Sequence, residues 1–440
     1  MQTYFYALAE ALEGMLTGDE VFTATFHAET SDFVRFNRGK VRQAGQVAQA
    51  FLRVQLVDGR RQAVAELGLS GDAATDRARL GRELARLRGY LPELPEDPHL
   101  LYATEVRSSE RTVGGELPSR EELLGAMAMA AGERDLVGIY AAGPIYVGFA
   151  NSLGQRNWHA TSSFNLDWSF YRDGDKAVKC GYAGFHFDRS VLERKVHNAA
   201  RELEALGRPA KTIPPGQYRV YLAPAALAEV LALVGWGGFG LKAHRTKQTP
   251  LLQLVEGGAT LHRGITLYEH AAAGVAPSFD AAGYLKPDRL TLIDGGTYRE
   301  CLVSARSAKE YGVPPTGASG EESPESLELL PGTVGPDQVL SRLERGVLVG
   351  NLWYLNFSDR MRCRITGMTR FATFWVEGGE IVAPLNVMRF DETIYRALGT
   401  QLLGLTSQAE LLLDADTYSR RSTRSARVPG ALIDDFTFTL

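Results

Sequence analysis

Long apolar runs are missing from this 440-residue chain. No stretch approaches the roughly 20 consecutive apolar residues of a membrane-crossing helix, so none is expected. Cysteine is scarce: Cys180, Cys301 and Cys363 are widely spaced and odd in number, which argues against a secreted, disulfide-framed protein. A cationic leader is also lacking. The opening stretch from Met1 to Leu16 is interrupted by Glu10 and Glu13 and reads as an amphipathic helix, so the expected compartment is the cytoplasm. Charge of one sign is not in excess, with 48 basic against 52 acidic residues and a net charge of -4. Polyanion binding needs a concentrated positive surface, and no nucleic-acid partner is expected. The one basic cluster, Arg420, Arg421, Arg424 and Arg427, reads as a solvated loop, with phosphate or an acidic groove as the alternative.

What is present is ordinary globular composition, 45% apolar and 23% charged. The 46 glycines follow no fixed period and mark turns. Helical spacing over residues 2–15 gives way to alternation in VFTATFHAET and SDFVRFNRGKV, read as two adjoining strands, then to a hairpin turning at Asp58-Gly59. Leu80, Leu84, Leu87 and Leu91 define one face of a helix over 72–92. The proline-rich, acidic stretch that follows is a connector. Ser119 with Glu122 opens another helix in a capping-box pattern. Three strands follow, turning at Asn151–Gly154 and Asp173–Asp175, then a helix from Arg189 to Glu204. This order lacks strand-helix alternation and predicts an α+β fold: an N-terminal antiparallel sheet with helices on one face. The prolines at 214 and 215 place the boundary, giving domains 1–212 and 213–440. The second half, rich in glycine and short apolar runs, predicts an irregular, barrel-like β domain. Gly378-Gly379 there supplies a hairpin turn, and the segment from Tyr311 to Pro331 wraps a surface or borders a cleft.

Chemistry-bearing motifs are few. None of the eight histidines begins a His-Glu pair, and no two stand three to five residues apart, so a helix-borne zinc pair is lacking. His262 and His270, with Glu269, are the nearest approach to a dispersed metal site. Polar or interface roles are the plainer reading. His244 and Arg245 follow a glycine-rich run, GWGGFG, that can expose backbone N–H groups to an anion or permit close approach of two segments. Cys180 and His186 would meet only across a turn. Arg370, beside aromatics, is a candidate peptide contact because a guanidinium binds a carboxylate bidentately. The possible peptide-binding residues are therefore His244, Arg245, His262 and Arg370. No residue is assigned a catalytic or metal-binding role.

Three blocks carry a resemblance to the TldD/PmbA family, once called modulators of DNA gyrase. They are LTLIDGGTYRECLVSARSAKEYG (290–312), SLELLPGT through RGVLVGNLWYLNF (326–357), and RITGMTRFATFWVEGGEIVAPLNVMRF (364–390). The closing SARVPGALIDDFTF and, more weakly, NRGKVRQ, LVDGR and Asn151–Gly154 extend it along the chain. The resemblance implies a two-domain α+β protein that dimerises around a cavity and takes part in proteolysis of peptides or unfolded segments. In TldD-type members zinc is held by an HExxxH helix and a late cysteine. Here GWGGFGLKAHRTKQT stands at the helix position, and no cysteine follows Cys363. The chain therefore resembles the PmbA, or TldE, side: no cofactor of its own, and zinc in a homologous TldD-type partner. Two alternatives stay open. One is a metallopeptidase active by itself through a non-sequential site, and the other is a homodimeric peptide-binding or scaffolding protein without proteolysis.

Overall fold

The computed structural model describes residues 1–440. Its first half is a seven-stranded sheet with four helices. In chain order these are α1 (Gln2–Glu13), β1 (Val21–Asn37), β2 (Lys40–Asp58), β3 (Arg61–Gly68), α2 (Ala73–Tyr90), β4 (Ser109–Val113), α3 (Arg120–Ala131), β5 (Asp135–Asn151), β6 (Arg156–Arg172), β7 (Lys176–Gly184) and α4 (Arg189–Leu206).

Alternation along β1 sets the layering, because successive side chains point to opposite faces. Phe22, Ala24, Phe26 and Ala28 pack against Phe5, Leu8 and Leu12 of α1 and Leu80, Leu84 and Leu87 of α2. Further along, Val34 and Phe36 join Leu123 and Met127 of α3 and Leu192, Val196 and Leu203 of α4. All four helices thus cover one face, as the pattern predicts. Ser119 accepts the Glu122 N–H (3.1 Å) at the start of α3, and Asp188 caps α4 through Ser190.

One expectation is corrected. The two adjoining strands are one continuous strand, β1, paired with β2 along its whole length. The polar run Thr30-Ser31-Asp32 suggested a break, but Ser31 is fully buried and Glu29 nearly so. Their partner comes from the far end of the chain, described below. The sheet is antiparallel as expected, and only the short polar segment Ser109–Val113 pairs parallel to β6 at an edge.

The second half is an eleven-stranded sheet. It runs through β8 (Gly216–Leu222), β9 (Leu267–Glu269), β10 (Leu290–Asp294), β11 (Thr297–Tyr298), β12 (Ser326–Leu329), β13 (Arg345–Asp359), β14 (Arg364–Glu377), β15 (Glu380–Pro384), β16 (Arg389–Thr393), β17 (Leu402–Leu413) and β18 (Ser425–Phe438). Strands β8, β13, β14, β16 and β18 close a ring, because β18 pairs with both β16 and β8. Closure removes sheet edges that would otherwise present unpaired backbone groups. The ring is filled by Val220, Val347, Ile365, Phe390, Ile433 and Phe436. Gly378 and Gly379, both at positive φ, turn β14 into β15 with Glu377 opposite Glu380.

The chain crosses from one sheet to the other between Gly184 and Gly216. Ala372 and Phe374 of β14 reach into the core beneath α3 and α4, so the halves share buried apolar surface. A second join is polar. The segment between β17 and β18 crosses the helix-free face of the first sheet and buries Arg421 there. Its guanidinium donates to the Gly143 carbonyl, the Ser163 carbonyl and the Ser163 hydroxyl, each at 2.9 Å. Glu29, held by Ser31 and Gln49, lies close enough to favour its charge. The reading of this arginine cluster as a solvated loop is therefore corrected for Arg421, while Arg420 and Arg424 stay exposed.

Candidate functional site

A cleft of about 1370 Å³ opens between the two sheets, far larger than any packing defect. One wall is α4. Its apolar stripe faces the first sheet, which leaves Lys195, Asn198 and Glu202 in a second stripe toward the cleft. The facing wall is α5 (Pro224–Gly238), whose Ala225, Ala228 and Ala232 are small enough to keep the space open. Between them, β7 contributes Lys179 and Cys180, β8 Tyr221 and β17 Glu410. Glu321 and Pro324 form part of the rim, so the Tyr311–Pro331 segment does border a cleft.

Three ion pairs cross the polar lining. Lys195 meets Glu410 at 2.7 Å, Lys179 meets Asp167 at 3.2 Å, and Arg424 meets Glu321 at 2.7 Å. Glu202 carries neither a hydrogen bond nor an ion pair. Burial pushes its carboxyl up to about 7, because desolvation penalises the charged form. Burial also raises Glu229 on α5, and the Lys179 charge partly opposes that shift. The Cys180 thiol is pushed up to about 12 by burial and stays protonated at neutral pH. Its sequence neighbour His186 lies against Gly115 instead. The one cysteine on the lining is therefore not an activated nucleophile.

None of the four residues nominated from sequence lines this cleft. His244 sits on the short α6 (Leu241–Arg245), where its Nε2–H donates to the Gly238 carbonyl (2.9 Å) and its Nδ1 faces the Tyr298 hydroxyl (3.2 Å). Burial lowers its pKa, so it stays neutral and ties down the glycine-rich turn. Arg245 beside it is exposed. His262 Nδ1 accepts the Gly264 N–H at 3.0 Å, a local turn contact. Arg370 is stacked 4.8 Å from both the Trp353 and Phe371 rings, on β14.

The dispersed trio does not converge. Glu269 accepts the Glu325 and Ser326 N–H groups, and its carboxyl is pushed up to about 7 by burial. The adjacent His270 instead bonds Glu328. No group of three His, Cys, Asp or Glu side chains is placed to hold a metal ion together. The geometry of α5 also does not fit a helix-borne pair of ligands. The helix breaks at Trp236 and Gly237, where φ is +75°, and Arg360 bonds the freed Trp236 carbonyl at 3.0 Å. Gly240 then passes so close to Glu322 that a Cβ would meet that side chain at 2.9 Å. The glycine run serves close approach of segments, and zinc chemistry is assigned to no residue here.

Sequence reasoning missed Glu202 and Glu229. Their only signal was a second polar stripe on α4 and a lone glutamate in the otherwise apolar α5, and neither shows what it faces.

Residues 215–440 match the family model of the PmbA/TldA metallopeptidase C-terminal domain. Among solved structures, the fold is similar to TldE from Thermococcus kodakarensis (TM-score 0.79, 14% identity, covering 99% of this chain and 100% of that one). It is also similar to proposed modulators of DNA gyrase from Thermotoga maritima (0.74, 15%, 99% and 99%) and Bacteroides thetaiotaomicron (0.72, 16%, 99% and 98%). No curated protein sequence matches the chain.

Proposed function

The chain belongs to the TldD/PmbA (modulator of DNA gyrase) family, and on that premise we propose that it is a metal-free, TldE-like subunit of a peptide-processing metallopeptidase assembly. Its cleft holds an extended peptide or unfolded segment, while a homologous zinc-bearing chain supplies the hydrolytic centre. The observation that carries this reading is the pairing of a cleft of about 1370 Å³ with a donor set that offers no three-ligand site. Peptide backbone is polar throughout and needs hydrogen-bond partners along its length. Asn165, Tyr221 and Asn351 on the lining can supply them. The reading places the assembly in the cytoplasm and expects no nucleic acid in it.

The test is reconstitution. The chain alone, loaded with zinc and given an unfolded peptide, is expected to show no turnover. Addition of a TldD-type chain with His-Glu and a late cysteine is expected to give a stable complex and cleavage. Stoichiometric zinc and robust hydrolysis by the isolated chain would sink the proposal. Peptide binding without turnover in any such mixture would point instead to a homodimeric binding protein.

A further inference from the structure

Side chains along a strand alternate between its two faces, so sequence neighbours point apart. Two bulges in the β13–β14 ladder break that rule, at the register shifts between Trp353 and Asn356 and between Val349 and Asn351. The first holds Tyr354 and the second, on the opposite strand, holds Phe371, both in the left-handed region (φ +54° and +57°). A bulge that needs this conformation normally takes glycine, and a bulky ring there strains the backbone. The strain gathers side chains that would otherwise part. Trp353 and its neighbour Tyr354 have ring centres 4.5 Å apart. The Arg370 guanidinium lies 4.8 Å from the ring centre of its neighbour Phe371 and equally far from that of Trp353 across the ladder. Trp353 and Tyr354 are 48% and 69% exposed, and adjoining aromatics left so open mark a contact surface.

Arg370 makes no hydrogen bond or ion pair within the chain. Other arginines of this sheet do: Arg364 meets Asp391 at 3.1 Å, and Arg389 donates to the Thr366 hydroxyl at 3.3 Å. The surroundings of Arg370 bring no carboxylate either. Asn351 stands opposite it on β13, Met368 lies two residues along β14, and Asn386 and Val387 belong to the segment bonded alongside. Stacking on rings engages the flat face of a guanidinium and leaves its N–H edge, which matches a carboxylate through two parallel bonds. Its place relative to the cleft follows from the ladder. Asn351 lines the cleft and is the register partner of Arg370, and such partners project from one face of the sheet about 5 Å apart. Arg370 thus stands one strand beyond the cleft wall.

We propose that Arg370, stacked on Trp353 and Phe371, binds a carboxylate of the segment held in the cleft, either its C-terminus or an aspartate or glutamate side chain. Trp353 and Tyr354 cover the apolar part of the same residue. The inference rests on the peptide-holding reading and adds a charge preference to it. Carboxylates outnumber cations on the cleft lining itself, so a preference for an anionic segment needs a source beside it. The stacked guanidinium is already ordered, and less side-chain freedom is lost when the ligand arrives.

The experiment uses the full chain and three eight-residue probes, each with a fluorophore blocking the N-terminus and an otherwise identical neutral sequence. The first has a central glutamine and an amidated C-terminus, the second a central glutamate and an amidated C-terminus, and the third a central glutamine and a free C-terminus. Anisotropy titrations are expected to show the glutamate or the free-carboxylate probe binding about tenfold more tightly than the neutral one, as charged hydrogen bonds imply. Which of the two gains identifies the source of the carboxylate. In Arg370→Met that advantage is expected to fall to about twofold or less, and Arg370→Lys should keep only part of it, since an ammonium cannot make the paired bonds. A lysine-bearing amidated probe, tested on the unaltered chain, should bind more weakly than the glutamate probe, a result independent of how the variants fold. Equal affinity of all probes, or an advantage that survives Arg370→Met, overturns the charge preference and leaves peptide holding intact. Arg370→Met that releases the zinc-bearing partner chain while probe affinities stay unchanged overturns it too, and assigns this face to subunit docking. Binding of no probe, by the chain alone or with its partner, overturns both.

Discussion

Replacing Arg421 with alanine tests how the two halves are tied. The guanidinium makes three contacts of 2.9 Å to buried acceptors, and Glu29 stands nearby. Burial pulls its pKa down to about 10, so it is still charged at neutral pH and its desolvation already offsets part of the gain. Charge-assisted hydrogen bonds contribute about 1.5–3 kcal/mol each, and deleting one partner of a buried ionic group costs about 3–5 kcal/mol. A net loss of about 3 kcal/mol follows from setting these against each other. Global melting reads this poorly: at roughly 2 cal/mol/K per residue, unfolding of the whole chain would shift by only about 3 °C. Local opening reads it well, because 3 kcal/mol is on the order of a hundredfold in an opening equilibrium. Trypsin cleavage after the exposed Arg420 or Arg424 should therefore accelerate about a hundredfold in Arg421→Ala under native conditions, where cleavage follows the open population. Arg421→Met, which fills the site but leaves the acceptors unmet, should lie between. An unchanged cleavage rate in Arg421→Ala would refute the anchoring argument.

Two further outcomes are expected. Glu202 is held above its ordinary value of 4.5, at about 7, so the native state binds the extra proton and stability falls as pH rises through that window. Glu202→Gln should therefore be more stable than the parent by about 1 kcal/mol at pH 8, after allowance for screening by cleft water, and equal to it near pH 4, as read from urea midpoints. Phe374 is fully buried where β14 enters the core under α3 and α4. Phe374→Ala should cost about 3–5 kcal/mol and lower the urea midpoint, and a loss below 1 kcal/mol would contradict the shared core.

Local signals were strong wherever one face of an element meets a continuous apolar layer. Leu80, Leu84 and Leu87 revealed α2, Ser119 and Asp188 stand at helix starts, and Gly378-Gly379 gave the β14–β15 register. The polar middle of β1 misled for the opposite reason. Glu29 and Ser31 look solvent-facing until Arg421, nearly 400 residues away, is brought against them. Ser109–Val113 shows no apolar alternation because it is a short edge strand whose pairing with β6 supplies its order. The nominated histidines were chosen for their chemistry, and the fold uses His244, His262 and His270 for structural hydrogen bonds.

By itself, the sequence determined the α+β class, the helix-covered first sheet, the β-rich second half, and the lack of the family's zinc ligands, since all of these depend on periodicity, turn chemistry or residue identity along the chain. Only the tertiary structure decided which polar residues share a space. Closure of the five-strand ring and the apposition of α4 to α5 bring together Cys180, Glu202, Glu229 and Glu410 from four separate elements. Whether a carboxylate is paired or left facing a cleft depends on what lies across from it, and that neighbour is set by folding and not by sequence distance.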